Sequence, residues 1–163
     1  MIYFAILAYA AAMIAANLTI AAFGPWVSPI NAFFLIGLDL ALRDWLHVRL
    51  KALQMGALIG ATGLLTYLLN PAAQTIAIAS AVSFAVAAVA DWLVFLRMPG
   101  TWFRRSASSN VAGAAVDSLI FPTLAFGALM PHIVALQFVA KVAGGAIWAA
   151  LLARTVQREA DAF

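Results

Sequence analysis

The sequence predicts an all-α polytopic membrane protein: a single bundle of six transmembrane helices, with both termini on the cytoplasmic side. Three observations predict it. The chain is 66% hydrophobic and only 9% charged, whereas a soluble globular domain carries about 25% charged residues. Too little polar surface is present to coat a water-soluble particle. Six apolar runs follow one another with short connections, each near the roughly 20 residues a membrane helix needs. The basic residues fall almost entirely between alternate pairs of these runs.

The first run, Ile2–Phe23, lacks a basic leader and is too long for a signal-peptide core, so it reads as a retained span. "GPWVSP" ends it, and the second run covers Pro29–Leu46. Ala52–Leu69 follows and stops at Asn70-Pro71. The fourth run is Ala73–Leu96, closed by "RMPGTWFRR". The fifth is Ser106–Met130 and the sixth His132–Ala153, separated by Met130-Pro131. Residues 1–163 thus read as one domain.

Arg43, Arg49, Lys51, Arg97, Arg104, Arg105, Arg154 and Arg158 collect on one side of this arrangement, eight of the nine Lys and Arg residues. The opposite connections hold none. The positive-inside rule therefore gives N-in and C-in. Trp26, Trp45 and Trp102 fall at span ends, where Trp is expected as an interface anchor.

The ninth basic residue is Lys141, which lies 13 positions before Arg154, about 20 Å from the inner surface at 1.5 Å per residue. Asp117 lies 12 positions after Arg105, about 18 Å in. A charge at a helix centre costs roughly 2.5–3.5 kcal/mol on insertion scales, so both should face a bundle interior, a polar cavity or each other.

Their neighbours extend the pattern. Asn110, Gly113, Asp117 and Phe121 share one helix face, as do Gln137, Lys141, Gly144 and Trp148 on the last span. Ser80, Ser83, Ala87 and Asp91 form a third stripe, and Asn17 adds an isolated amide in the first span. Converging, these stripes would line a polar cavity. The plainer alternative is a structural Asp117–Lys141 ion pair. Asp91, about 9 Å from Arg97 along its helix, fits either the cavity or the interface. Asp39, one turn before Arg43, has a local i, i+4 pair as its plain reading.

Several chemistries are excluded or disfavoured. The chain has no cysteine, which removes disulfides, thiol catalysis and Cys-type metal sites. No glycine-rich phosphate loop is present, so the chain does not hydrolyse ATP itself. His47 and His132 are its two histidines, both near span ends, which argues against a His-ligated metal. No GxSxG elbow occurs. Nothing points to a cofactor, to nucleic acid or to enzymatic catalysis. A small bundle with a polar core is the outline of a solute carrier in contact with lipid.

Three stretches carry a family resemblance: "NAFFLIGLDLALRDWLHVRL" from Asn31, "VADWLVFLR" from Val89, and "SSNVAGAAVDSLIF" from Ser108 to Phe121. Together with the six-helix layout they resemble the small integral-membrane transporters of queuosine precursors, grouped with vitamin-uptake-type transporters. The resemblance covers nearly the whole chain. It departs at Asn31-Ala32-Phe33, where the family often opens the second span with Asp-Ala-Gly; an amide stands where an acid is usual at the outer mouth.

The resemblance implies uptake of a 7-deazaguanine, 7-cyano-7-deazaguanine or its aminomethyl relative, across a bacterial cytoplasmic membrane. The residue chemistry is compatible. A carboxylate such as Asp117 accepts from the N1–H and exocyclic amine of a guanine-like edge. Asn110, Gln137, Asn17 or Asn31 would serve carbonyl and ring nitrogens, and Phe121 or Trp148 would stack on the flat ring. Lys141 and Asp91 complete the candidate substrate-binding set. Asp117 or Asp91 could take up a proton and couple transport to a gradient; facilitated diffusion would need no such group. A second reading is a substrate-capturing subunit of an ATP-driven importer, docking through an Ala8-Ala12-Ala16 ridge, for which ordinary close helix packing is the plain explanation. A homodimer is left open.

Overall fold

The structure is a computed structural model that describes residues 2–47 and 49–160, with side chains described except at positions 44, 47, 52 and 154–160. Expectations resting on the side chains of Asp44, His47, Arg154 and Arg158 lie outside the described residues. Among those residues the regular secondary structure is all helical, with no strand.

Helix α1 runs Ile2–Phe23. Gly24, at φ 78°, supplies the positive φ that lets the chain turn without a Cβ penalty. The second rod is composite: α2 (Ser28–Asn31) passes into a π-helical stretch, Ala32–Ile36, and then into α3 (Gly37–His47). Helix α4 covers Ala52–Leu69 and α5 covers Gln74–Arg97. Helix α6 runs Trp102–Phe126 and α7 runs Pro131–Ala160. Five of the six rods are long and apolar enough to cross a bilayer. The α4 rod, at 18 residues, spans about 27 Å, just under a typical hydrocarbon core.

The helix ends differ from the sequence expectation where charge or punctuation misleads. Helix α6 begins at Trp102 rather than Ser106, because Thr101 caps it: its hydroxyl accepts from the Arg104 N–H at 3.3 Å. Arg104 and Arg105 therefore lie in the first turn rather than in a loop. The same helix stops at Phe126, not Met130, because Gly127 takes the left-handed conformation at φ 70°, a common C-terminal stop. Helix α7 continues beyond Ala153 to Ala160.

The exterior is apolar. Phe4, Leu53, Leu68, Leu119 and Val139 are all largely exposed, as a lipid-facing surface requires. Lipid is as apolar as these side chains, so burying them does not drive helices together; close backbone approach and polar contacts do. Glycines serve the first purpose. A methyl at Gly144 would collide with the Phe33 carbonyl of the π-helical stretch, and one at Gly37 would meet the Gly144 backbone at 2.7 Å. The second rod and α7 thus pack backbone to backbone. Ala12 and Ala16 of the alanine ridge are buried inside the bundle, so that ridge is spent on internal packing.

Two expectations about the second rod need correction. Arg43 is not an inner-surface charge: it is 0% exposed. It turns inward because Asp39, one turn earlier on the inward face, accepts from its guanidinium at 2.8 Å, and Phe84 lies under the guanidinium at 5.2 Å. Trp45 is likewise buried rather than an interface anchor, with Arg49 stacked on its ring at 3.7 Å. Trp26 does lie exposed near the opposite end.

Candidate functional site

All three sequence stripes face inward. Asn110, Gly113, Asp117 and Phe121 are buried on α6, and Ser80, Ser83, Ala87 and Asp91 are buried on α5. On α7, Gln137, Lys141 and Gly144 are buried while Trp148 is half-buried.

Six of the candidate residues meet around one cavity. Asn17 reaches it from α1, Asn31 from α2, Asp117 and Phe121 from α6, and Gln137 and Lys141 from α7. Ser28, Ser80, Phe84 and the π-helical residues Ala32 and Ile36 complete most of the wall. The space at its centre is about 20 Å³, room for about one water molecule. The wide π turn, a feature frequent at functional sites, thus forms part of this wall.

The polar groups form a graded network. The Lys141 ammonium donates to Asp117 Oδ2 at 2.6 Å, to Gln137 Oε1 at 2.8 Å and to Ser118 Oγ at 3.2 Å. Its three protons are all engaged. Gln137 Nε2 donates in turn to Ser28 Oγ, joining α7 to α2. Asn31 donates to Thr19 Oγ1 at 2.7 Å and to the Ala16 carbonyl at 3.1 Å. The Asn31 amide is therefore tied to α1. Pro122, one position after Phe121, interrupts α6; lacking an N–H, it releases the Ser118 carbonyl from the helix ladder.

Two cavity atoms keep unused capacity. Asp117 Oδ1 and Asn17 Nδ2 are buried and have no protein hydrogen-bond partner. One is an acceptor and the other a donor.

Asn110, Asp91 and Trp148 are not in the cavity wall. Asn110 sits against α7, with Nδ2 3.2 Å from where a Gly145 methyl would lie. Asp91 is 0% exposed and packs on Gly113, so it is not an interfacial residue. Sequence reasoning passed over Phe84, although it stands four residues after Ser80 and three before Ala87, on the same α5 stripe. It lines the cavity on one side and underlies Arg43 on the other. The local i, i+4 pair expected of Asp39 and Arg43 is present, at 2.8 Å. No cluster of three His, Asp or Glu residues suited to a metal occurs among the described residues.

The fold is a helical membrane bundle that encloses a polar, multi-helix cavity. The "Putative vitamin uptake transporter" family model matches residues 1–154, and the chain belongs to that family. None of the curated proteins or solved structures gives a significant match.

Proposed function

We propose that the protein imports a queuosine precursor, 7-cyano-7-deazaguanine or 7-aminomethyl-7-deazaguanine, across a bacterial cytoplasmic membrane. The observation that carries this reading is Asp117 Oδ1, a buried carboxylate oxygen with unused acceptor capacity inside the cavity. A guanine-like edge presents two adjacent donors, N1–H and the exocyclic amine, which a carboxylate accepts. Asn17 Nδ2 is a donor suited to the ring carbonyl, and Phe84 or Phe121 is a stacking face. The family supports a transport activity; the carboxylate, amide and aromatic set is compatible with this solute class.

A solute-sized pocket occupies roughly 300–1,000 Å³, against the 20 Å³ here. Loading therefore requires the lining helices to part. The π turn and Pro122 are the places where the backbone ladder is already interrupted.

A binding assay with the purified protein tests the reading. Saturable binding of 7-cyano-7-deazaguanine, with riboflavin and biotin failing to compete, is the expected result. Competition by riboflavin or biotin would overturn it. In a strain unable to make the precursor, deletion should abolish queuosine in tRNA when external precursor is scarce; unchanged queuosine would overturn it equally.

A further inference from the structure

Helices α4 and α5 meet closely at mid-span, where a methyl on Gly63 would stand 3.3 Å from the Ala81 Cβ. Nearer the basic end of the bundle, a groove of about 550 Å³ lies between them. That size falls within the roughly 300–1,000 Å³ of a ligand pocket. Gly56 stands on its α4 wall, and a methyl there would meet nothing within 4 Å. Ala85 and Ala88 keep the α5 wall shallow, and Met55 and Phe95 are its buried lining residues. On α5 the lining runs from Ala85 to Leu96, about 16 Å of helix. A hydrocarbon core is roughly 30 Å thick, so the groove is about as deep as one leaflet.

Its chemistry is apolar with one exception, Arg105 of α6. None of the amides and carboxylates of the solute cavity reaches it. Arg105 is held in place by Phe95: Nε donates to the Phe95 carbonyl at 3.0 Å, and the guanidinium carbon lies 4.3 Å from the ring centre. Among the described residues Arg105 meets no carboxylate. A half-buried cation without a counter-charge thus borders an apolar groove. The outer half of the same seam has its own cleft, lined by Gly63, Tyr67 and Ile78 among others, and that one carries no charge.

We propose that the inner groove binds an anionic phospholipid of the inner leaflet, with one acyl chain along α5 and the phosphate on Arg105. An arginine fork matches phosphate oxygens bidentately. Basic pockets between membrane helices on the cytoplasmic side bind anionic head groups, and the basic end of this bundle is the cytoplasmic one. A second copy of the chain is a poorer occupant. It would have to bring an acid to Arg105, and Asp39, Asp91 and Asp117 are buried within their own bundle. Bound lipid bridges α4, α5 and α6 and stabilises the folded state by mass action.

Protein purified in detergent and stripped of lipid tests this. Dioleoylphosphatidylglycerol and dioleoylphosphatidylcholine share acyl chains and differ in head-group charge. Native mass spectrometry should show a single phosphatidylglycerol bound about tenfold more tightly than phosphatidylcholine, the worth of one charge-assisted hydrogen bond. The same lipid should raise the unfolding temperature. Arg105→Gln should bring the two lipids to equal affinity. Because that change also removes the tie to Phe95, a second variant leaves Arg105 alone. Gly56→Leu grows into the groove from a point where a methyl meets nothing. It should weaken phosphatidylglycerol by about tenfold or more and leave the lipid-free unfolding temperature unchanged. Equal affinities in the wild type, or undiminished binding by Gly56→Leu, would overturn the site. Displacement of the lipid by an equal concentration of inorganic phosphate would rule out the acyl groove. A homodimer insensitive to lipid and lost in Gly56→Leu would give the groove to a second copy instead.

Discussion

The two buried ion pairs differ in what they hold together. Lys141 and Asp117 come from different helices, and the ammonium also binds Ser118 and Gln137. Through Ser28, that network ties α6, α7 and α2 into one unit. Asp39 and Arg43 are one turn apart on the same helix. Their bond joins no helices, and two guanidinium nitrogens and one carboxylate oxygen are left with no protein partner. A pair between helices whose ammonium has three acceptors fixes an architecture, while the pair within one helix leaves guanidinium nitrogens unengaged. Phe84 divides them, facing the cavity from one side and Arg43 from the other.

The largest expected effects come from removing one member of a pair. Lys141→Met or Arg43→Met leaves a buried carboxylate without its cation, which costs about 3–5 kcal/mol. Both variants should unfold at clearly lower temperature in detergent, read by fluorescence-detected gel filtration after heating. The double variants sharpen the contrast. Asp39→Asn with Arg43→Met should recover most of the loss, since the hydrogen bond it removes lies within one helix. Asp117→Asn with Lys141→Met should recover less, because α6 and α7 lose their link. Equal recovery would break the comparison.

Next in size is Asp117→Asn on uptake. It replaces one acceptor oxygen by a donor and weakens a charged hydrogen bond worth roughly 1.5–3 kcal/mol. Uptake of 7-cyano-7-deazaguanine should fall by about tenfold or more at unchanged expression, and near-normal uptake would remove Asp117 from the site. Gly144→Ala follows. Its methyl would strike the Phe33 carbonyl, and such overpacking costs about 1–3 kcal/mol, visible as a lower unfolding temperature. The smallest effect belongs to Trp148→Ala. This half-buried side chain is outside the cavity wall, so uptake should change by no more than about twofold, the range of a substitution away from specific contacts. A larger loss would return Trp148 to the solute site.

How far the site was legible depended on spacing. Asp117, Lys141, Gln137 and Phe121 could be found because each sits on a stripe of polar and small residues at helical period, deep within an apolar run. Asn17 could be found because it is an amide isolated in an apolar run. Phe84 carried the same spacing, but an aromatic in a membrane helix ordinarily reads as packing. Arg43 was misread for a physical reason: near a helix end a long basic side chain usually reaches for the surface. Here the inward Asp39 and the Phe84 face hold it inside. Trp45 was misread by the same rule of position.

The sequence by itself determined the membrane class, the number of helical rods and the presence of charges too deep for lipid. Hydrophobicity and helix rise are properties of each segment alone. Only the tertiary structure decided which charges meet, that the alanine ridge faces inward, and that Asp91 has no protein partner while Lys141 has three. Those outcomes depend on the rotation of each helix about its axis. That rotation is set by backbone contacts such as Gly144 against Phe33, which join segments distant in the chain and leave no periodic mark in either.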